Sequence, residues 1–252
     1  MSDVLTHSAP DVAEALGQSV LFSGTPLALR ERVVAGSHQR RVPRGGMLFE
    51  AQEPSEGLYV VLAGQVKLFV RADNGQEKVI EVVRQHGHLG ESIVFDHARH
   101  VTNARALSET TVLLVPAEVL LRELSQDPAL ATHMLVGLAR RLNAMIRDIE
   151  ALTLRSSVRR VVDYLRAQAE QTDHVEAERA LAPAPEAVAP STAEVAQATV
   201  SLPYSKSTLA SLLSVTPEHF SRILHELQSK GLIAVHRRDI HIPDLGRLAE
   251  VA

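Results

Sequence analysis

The sequence predicts an α+β protein of two modules joined by a long helix, and three observations carry that prediction. Residues 38–116 alternate short apolar runs with turn signals, an apolar seam at heptad spacing runs through residues 135–152, and residues 203–242 read as helix, tight turn, helix and hairpin. A chain of 252 residues is long for one ordinary core and comfortable for two domains.

The β module rests on "GLYVVLAGQVKLFV", "RADNGQEKVIEVV", "RQHGHLGESIVF" and "HVTNARALSETTVLLVP". Val60, Leu62, Val66 and Leu68 flank Gly64-Gln65, and Asn74-Gly75 is a strong hairpin turn, so the strands form a compact antiparallel domain. Before it, residues 26–37 read as a short helix ending at Gly36. From Pro128 the period changes. Leu135, Leu138, Leu142, Met145, Ile149 and Leu152 are spaced 3, 4, 3, 4, 3, as heptad a and d positions are, which predicts a helix that pairs with its twin in a homodimer. Met134, Val136 and Ile146 are candidates for a second face against the β module.

A further helix is expected over residues 157–171. The stretch that follows, 172–200, holds nine Ala, three Pro, five acids and one base, too little aliphatic content for a core, and is expected as a disordered acidic insertion. The expected domains are thus 1–126, a dimerisation helix over 127–156, and 157–252 with the insertion inside it. In the last module Ser205 caps a short helix, Thr216 caps a second that starts with Pro217 and Glu218, and "LIAVHRRDIHI" folds back as a wing. This is a winged helix-turn-helix.

The second helix of such a motif enters the major groove with its first turns on base edges. Phe220, Ile223, Leu224 and Leu227 fall on its inner side, which leaves Glu218, Ser221 and Arg222 outside with Thr216 and His219 beside them. Arg pairs bidentately with guanine and Glu accepts from a cytosine amino group, so these residues suit double-stranded DNA. Ser205, Lys206 and Ser207 sit where a helix start meets phosphate, though the two serines suit plain capping equally well. Residues 203–241 carry five Lys and Arg against three acids, opposite in sign to the whole chain at −4.

Zero cysteine excludes disulfides, zinc-thiolate sites and cysteine-ligated iron–sulfur clusters. With 3% aromatic residues and no Trp, a stacking platform for single strands is not expected. There is no paired nucleophile and base, no phosphate loop and no H-E-x-x-H metal signature, so an enzyme is not expected. No apolar run approaches a membrane span and the first twenty residues lack a secretory pattern, which predicts a cytoplasmic protein.

The order of β domain, long helix and winged helix-turn-helix, with "GLYVVLAGQVKLFV", "LGESIVF" and "EHFSR", resembles the CRP/FNR superfamily of bacterial transcription regulators. The resemblance implies a β-roll of the cyclic-nucleotide-binding type, a dimer, RNA polymerase as a partner and, from Glu218, Ser221 and Arg222 as E-x-x-S-R, inverted half-sites of the type TTGAT. Gly90-Glu91 fits the first half of the superfamily's cyclic-AMP signature. His100-Val101 stands where an Arg-Ser pair would meet the phosphate, so the bidentate partner is lost. The resemblance puts Gly90, Glu91, His100 and Met145 at the effector pocket. The alternatives are a cyclic-nucleotide-responsive regulator of the same fold and a β-roll nucleotide-binding module that does not act on DNA.

"GQEKVIEVV" and "PEHFSRILHEL" are most similar to the cysteine-free regulators of dissimilatory nitrate respiration. That similarity implies haem-mediated nitric oxide sensing in anaerobic or denitrifying metabolism, with a haem held by His. His86, His88 and His133 are the candidates, and none of the three is preferred.

Overall fold

The computed structural model describes residues 8–91, 99–180 and 197–251. They fall in two units, Met1–Ile146 and Arg147–Ala252. In the first, helices α1 (Ala9–Gly17) and α2 (Leu27–Ala35) precede strands β1 (His38–Val42), β2 (Met47–Phe49), β3 (Gly57–Ala63), β4 (Val66–Arg71), β5 (Glu77–Val83), β6 (His88–Leu89), β7 (Asn103–Ala106) and β8 (Thr110–Pro116). Helix α3 (Ala117–Gln126) leads into α4 (Pro128–Leu154), within which the division into units falls.

The strands make two antiparallel four-stranded sheets, ordered β1-β8-β3-β6 and β2-β7-β4-β5. Strand β3 has no polar side because both of its faces are covered. Leu58, Val60 and Leu62 pack with Leu16, Leu21, Phe22, Leu130 and Met134 under the helices, while Tyr59 and Val61 pack with Phe49, Leu89 and Val112 inside the roll. Asn74-Gly75 forms the predicted hairpin turn between β4 and β5: Asn74 Oδ1 accepts from the Gln76 amide at 3.0 Å and Gly75 has φ +81°. Gly64-Gln65 carries the chain from one sheet to the other. Helix α2 ends at Gly36, as predicted.

Helix α4 buries Leu130, Met134 and Gly137, a face at i, i+4 and i+7. The second face expected at Met134, Val136 and Ile146 holds only for Met134. Val136 and Ile146 are exposed because a helical turn of 3.6 residues carries them to the far sides of the buried stripe.

The second unit contains α5 (Ser157–Ala180), β9 (Ala198–Ser201), α6 (Lys206–Leu212), α7 (Pro217–Ser229), β10 (Ala234–His236), β11 (Asp239–Ile242) and α8 (Leu245–Ala249). The expected disordered insertion at 172–200 is corrected at both ends. Helix α5 runs on to Ala180, since the stretch up to there is rich in Ala, Glu and Gln and its first proline is Pro183. Poverty in aliphatic residues denies a segment a core, but it does not stop a helix. At the other end β9 adds to the wing in the order β10-β11-β9, with Ala198 and Val200 buried on one side. Residues 181–196 of that stretch lie outside the described residues.

Candidate functional site

The four residues expected at the effector pocket come together. A cavity of about 230 Å³ is lined by Gly90, Glu91, His100 and Met145 with Phe49, Leu138, Arg141 and others. Gly90 has φ +88°, and a Cβ there would stand 2.8 Å from the Gly57 carbonyl oxygen, so the position takes only glycine. His100 is buried and stacks on Phe49 with ring centroids 3.6 Å apart and planes within 7°. Burial lowers its pKa, so it enters the cavity as a neutral wall and brings no positive charge.

Arg141 dominates the electrostatics. Its Nη1 lies 2.6 Å from Glu91 Oε1 and donates to the His88 carbonyl at 3.2 Å, and its Nη2 lies 2.6 Å from Glu81 Oε2. Burial pushes the Glu91 carboxyl up and Arg141 pulls it back. Arg141 is the one cation lining the cavity among the described residues, and two carboxylates already hold it. Arg99, beside the position where an arginine would meet phosphate, donates instead to the Gln52 carbonyl at 2.7 Å.

None of His86, His88 and His133 lines the cavity. His88 is largely buried in β6, with its pKa lowered to about 4 by desolvation and by Arg141, so its ring is neutral. Its Nε2 and His86 Nδ1 are buried without a hydrogen-bond partner among the described residues. The ring of His133 lies beside Gly24. Along α4 the predicted seam is open to solvent: Leu135, Leu142 and Ile149 are 60–65% exposed, Met145 and Leu152 are also exposed, and Leu138 is half-buried at the cavity.

In the second unit the predicted face of α7 forms as expected. Thr216 Oγ1 accepts from the His219 amide at 3.2 Å, Phe220, Ile223, Leu224 and Leu227 are buried, and Glu218, Ser221 and Arg222 face solvent. Ser221 Oγ donates to the Pro217 carbonyl at 2.9 Å. Ser205 caps α6 by accepting from the Thr208 amide at 3.1 Å and lies 2.9 Å from the Ser207 hydroxyl, while Lys206 is exposed. His219 is half-buried between Ser157 and Arg222.

Two arginines escaped the sequence reading. Arg141 sits three residues after Leu138 and four before Met145, on the flank of the seam that meets the roll, and that spacing is the one signal that could have found it. Arg160 donates to the carbonyls of Leu213, Ser214 and Arg155, clamping the turn between α6 and α7 where Ser214 has φ +54°. No local pattern announces it.

Residues 39–127 match the cyclic nucleotide-binding domain, and residues 159–251 match the Crp-like helix-turn-helix domain. The chain belongs to the CRP/FNR family. It is similar to the CRP-like cAMP-activated global transcriptional regulator of Mycobacterium tuberculosis, at 22% identity over 239 residues, 95% of this chain and 99% of that one. Among solved structures, FixK2 from Bradyrhizobium japonicum shares 21% identity at a TM-score of 0.62 over 84% of this chain and 95% of its own, which is a likeness of fold. DNR from Pseudomonas aeruginosa shares 29% identity at a TM-score of 0.47 over 98% of each chain. As a CRP-like DNA-binding transcription regulator, the protein carries a domain of the cyclic-nucleotide-binding type under a family helix-turn-helix. No helix among the described residues is long and apolar enough to cross a membrane.

Removing one partner of a buried ion pair strands the other. Arg141→Met is expected to lower unfolding free energy by about 3 kcal/mol at pH 7.5, and adding Glu91→Leu should recover most of it. In Arg141→Met the Glu91 pKa rises further above its unfolded value, so its penalty grows as pH rises past the unfolded carboxyl range and shrinks in acid. Urea denaturation at pH 5 and pH 7.5 checks both points, and the single variant's deficit should be smaller at pH 5.

Proposed function

We propose that the chain is a homodimeric regulator that reads TTGAT-type inverted half-sites through α7 and recruits or blocks RNA polymerase there. The observation that carries this reading is the solvent-facing set Glu218, Ser221 and Arg222 at the start of a capped helix whose other side is fully buried. Arg222 reads the guanine and Glu218 accepts from a cytosine on the opposite strand. Thr216 and the Ser205 to Ser207 stretch position the two helix starts toward the backbone, with Lys206 as a phosphate contact.

The dimer is proposed from the seam. Twelve apolar side chains across two copies supply on the order of 10–20 kcal/mol at about 1.5 kcal/mol each, against about 4–15 kcal/mol lost on association. Leu138, Leu142 and Met145 belong to both seam and cavity, so pairing and effector state share residues.

The proposed control is haem-mediated nitric oxide sensing in anaerobic or denitrifying metabolism, supported by the resemblance to cysteine-free nitrate-respiration regulators. A haem, if bound, would supply an iron able to take up a diatomic gas, and in a chain without cysteine a histidine would hold it. The cavity does not fit a haem: at about 230 Å³ it falls below the roughly 300–1,000 Å³ of ordinary ligand sites and lacks all three candidate histidines. Haem sensing is therefore not assigned to that cavity.

Three measurements test this reading. Arg222→Ala should cost about 1–3 kcal/mol per half-site and relax preference at the G·C pair, whereas Lys206→Ala should weaken all sequences alike and lower the salt slope by about one. Titrations against operators altered base by base separate the two. Leu142→Glu should sediment as a monomer with weak operator binding, because a charge in the seam has no partner. Protein from haem-replete cells should show a Soret band that shifts with nitric oxide. A folded dimer that takes up no haem contradicts the sensor assignment and leaves the DNA reading intact.

A further inference from the structure

The base-reading arginine is not free in solution. Arg222 Nη2 lies 2.8 Å from His219 Nδ1, and His219 Nε2 lies 2.9 Å from Ser157 Oγ at the start of α5. A guanidinium only donates, so Nδ1 accepts. The ring proton of the neutral imidazole therefore sits on Nε2 and is donated to Ser157. The backbone is fixed as well, because the His219 amide caps onto Thr216. The imidazole is thus held through both ring nitrogens, and its Nδ1 lone pair is aimed at Arg222.

Resting on the DNA reading proposed above, we infer that His219 is a positioning residue that sets the base specificity of Arg222, with Ser157 fixing the tautomer that lets it do so. The choice of a neutral acceptor matters. Glu218 and Glu226 lie one turn away on either side, and helical spacing alone favours an ion pair with either. Glu226 instead takes Lys230 at 2.7 Å, and Arg222 takes the histidine. A carboxylate clamp would occupy two guanidinium donors and cancel its charge. A single imidazole nitrogen uses one donor of five and leaves the charge and a two-pronged edge for guanine O6 and N7.

An exposed arginine without such a hold keeps its full rotamer freedom and reaches phosphates as readily as bases. His219 lowers that freedom before DNA arrives, so its loss should appear in discrimination and not in general affinity. Neither the helix cap nor the core depends on the ring, because the capping group is the His219 backbone amide and His219 is outside the buried set.

The test compares full-length dimers by binding titration on a TTGAT operator, on one with the G·C pair changed to A·T, and on random duplex, with circular dichroism confirming the fold. His219→Ala should reduce discrimination at that pair by about 3- to 10-fold while random-duplex affinity moves by less than about 2-fold. His219→Asn, whose amide oxygen replaces Nδ1, should restore most of the discrimination. His219→Gln, which reaches toward Ser157 and not Arg222, should not, and Ser157→Ala should fall between. Unchanged discrimination in His219→Ala, while Arg222→Ala has lost it, overturns the inference and leaves the reading of α7 standing. If Arg222→Ala itself leaves discrimination unchanged, the reading of α7 has failed and the inference falls with it.

Discussion

The β-roll unit depends on how Arg141 is satisfied. Helix α4 meets the roll along Leu130, Met134, Gly137 and Arg141, successive positions of one helical stripe, of which the first three are apolar or small and the fourth is charged. A charge in that place is tolerated because Glu81, Glu91 and the His88 carbonyl all accept from it. The two ion pairs tie the helix to β5 and to Glu91, and the hydrogen bond to the His88 carbonyl ties it to β6. An incoming phosphate finds no uncommitted cation in the described cavity. Freeing Arg141 costs about 3–5 kcal/mol, between two and four powers of ten in affinity.

The same packing explains the seam. With the roll taking one stripe of α4, the adjoining stripe through Leu135, Leu142 and Ile149 is exposed among the described residues, while Leu138, Leu142 and Met145 border the cavity. In the second unit the corresponding anchor is Arg160, which donates to the Leu213 and Ser214 carbonyls of the turn that orients α7. Each unit thus uses one arginine from a long helix to position its functional element, the first against carboxylates and the second against backbone.

What could be read from the sequence was local or periodic. The cap at Thr216, the buried set from Phe220 to Leu227 and the hairpin at Asn74-Gly75 are short-range patterns, and each formed as expected. The grouping of Gly90, Glu91, His100 and Met145 came through the family resemblance, since their sequence separation gives no other clue. What escaped was long-range or tertiary. The partners of Arg141 lie 50 to 60 residues away, the third wing strand is four residues at the end of an alanine-rich stretch, and the ring of His219 faces a serine 62 positions earlier. Composition also misled over 172–180, where helix propensity outweighed the lack of core-forming side chains.

The central claim is that a committed Arg141 and an uncharged His100 deprive this β-roll of a phosphate site. Isothermal titration calorimetry of the intact protein with cyclic AMP tests it most directly, paired with operator binding in the same buffer. The account predicts no heat of binding up to about 1 mM nucleotide and no change in operator affinity. A micromolar Kd together with tighter operator binding would contradict it.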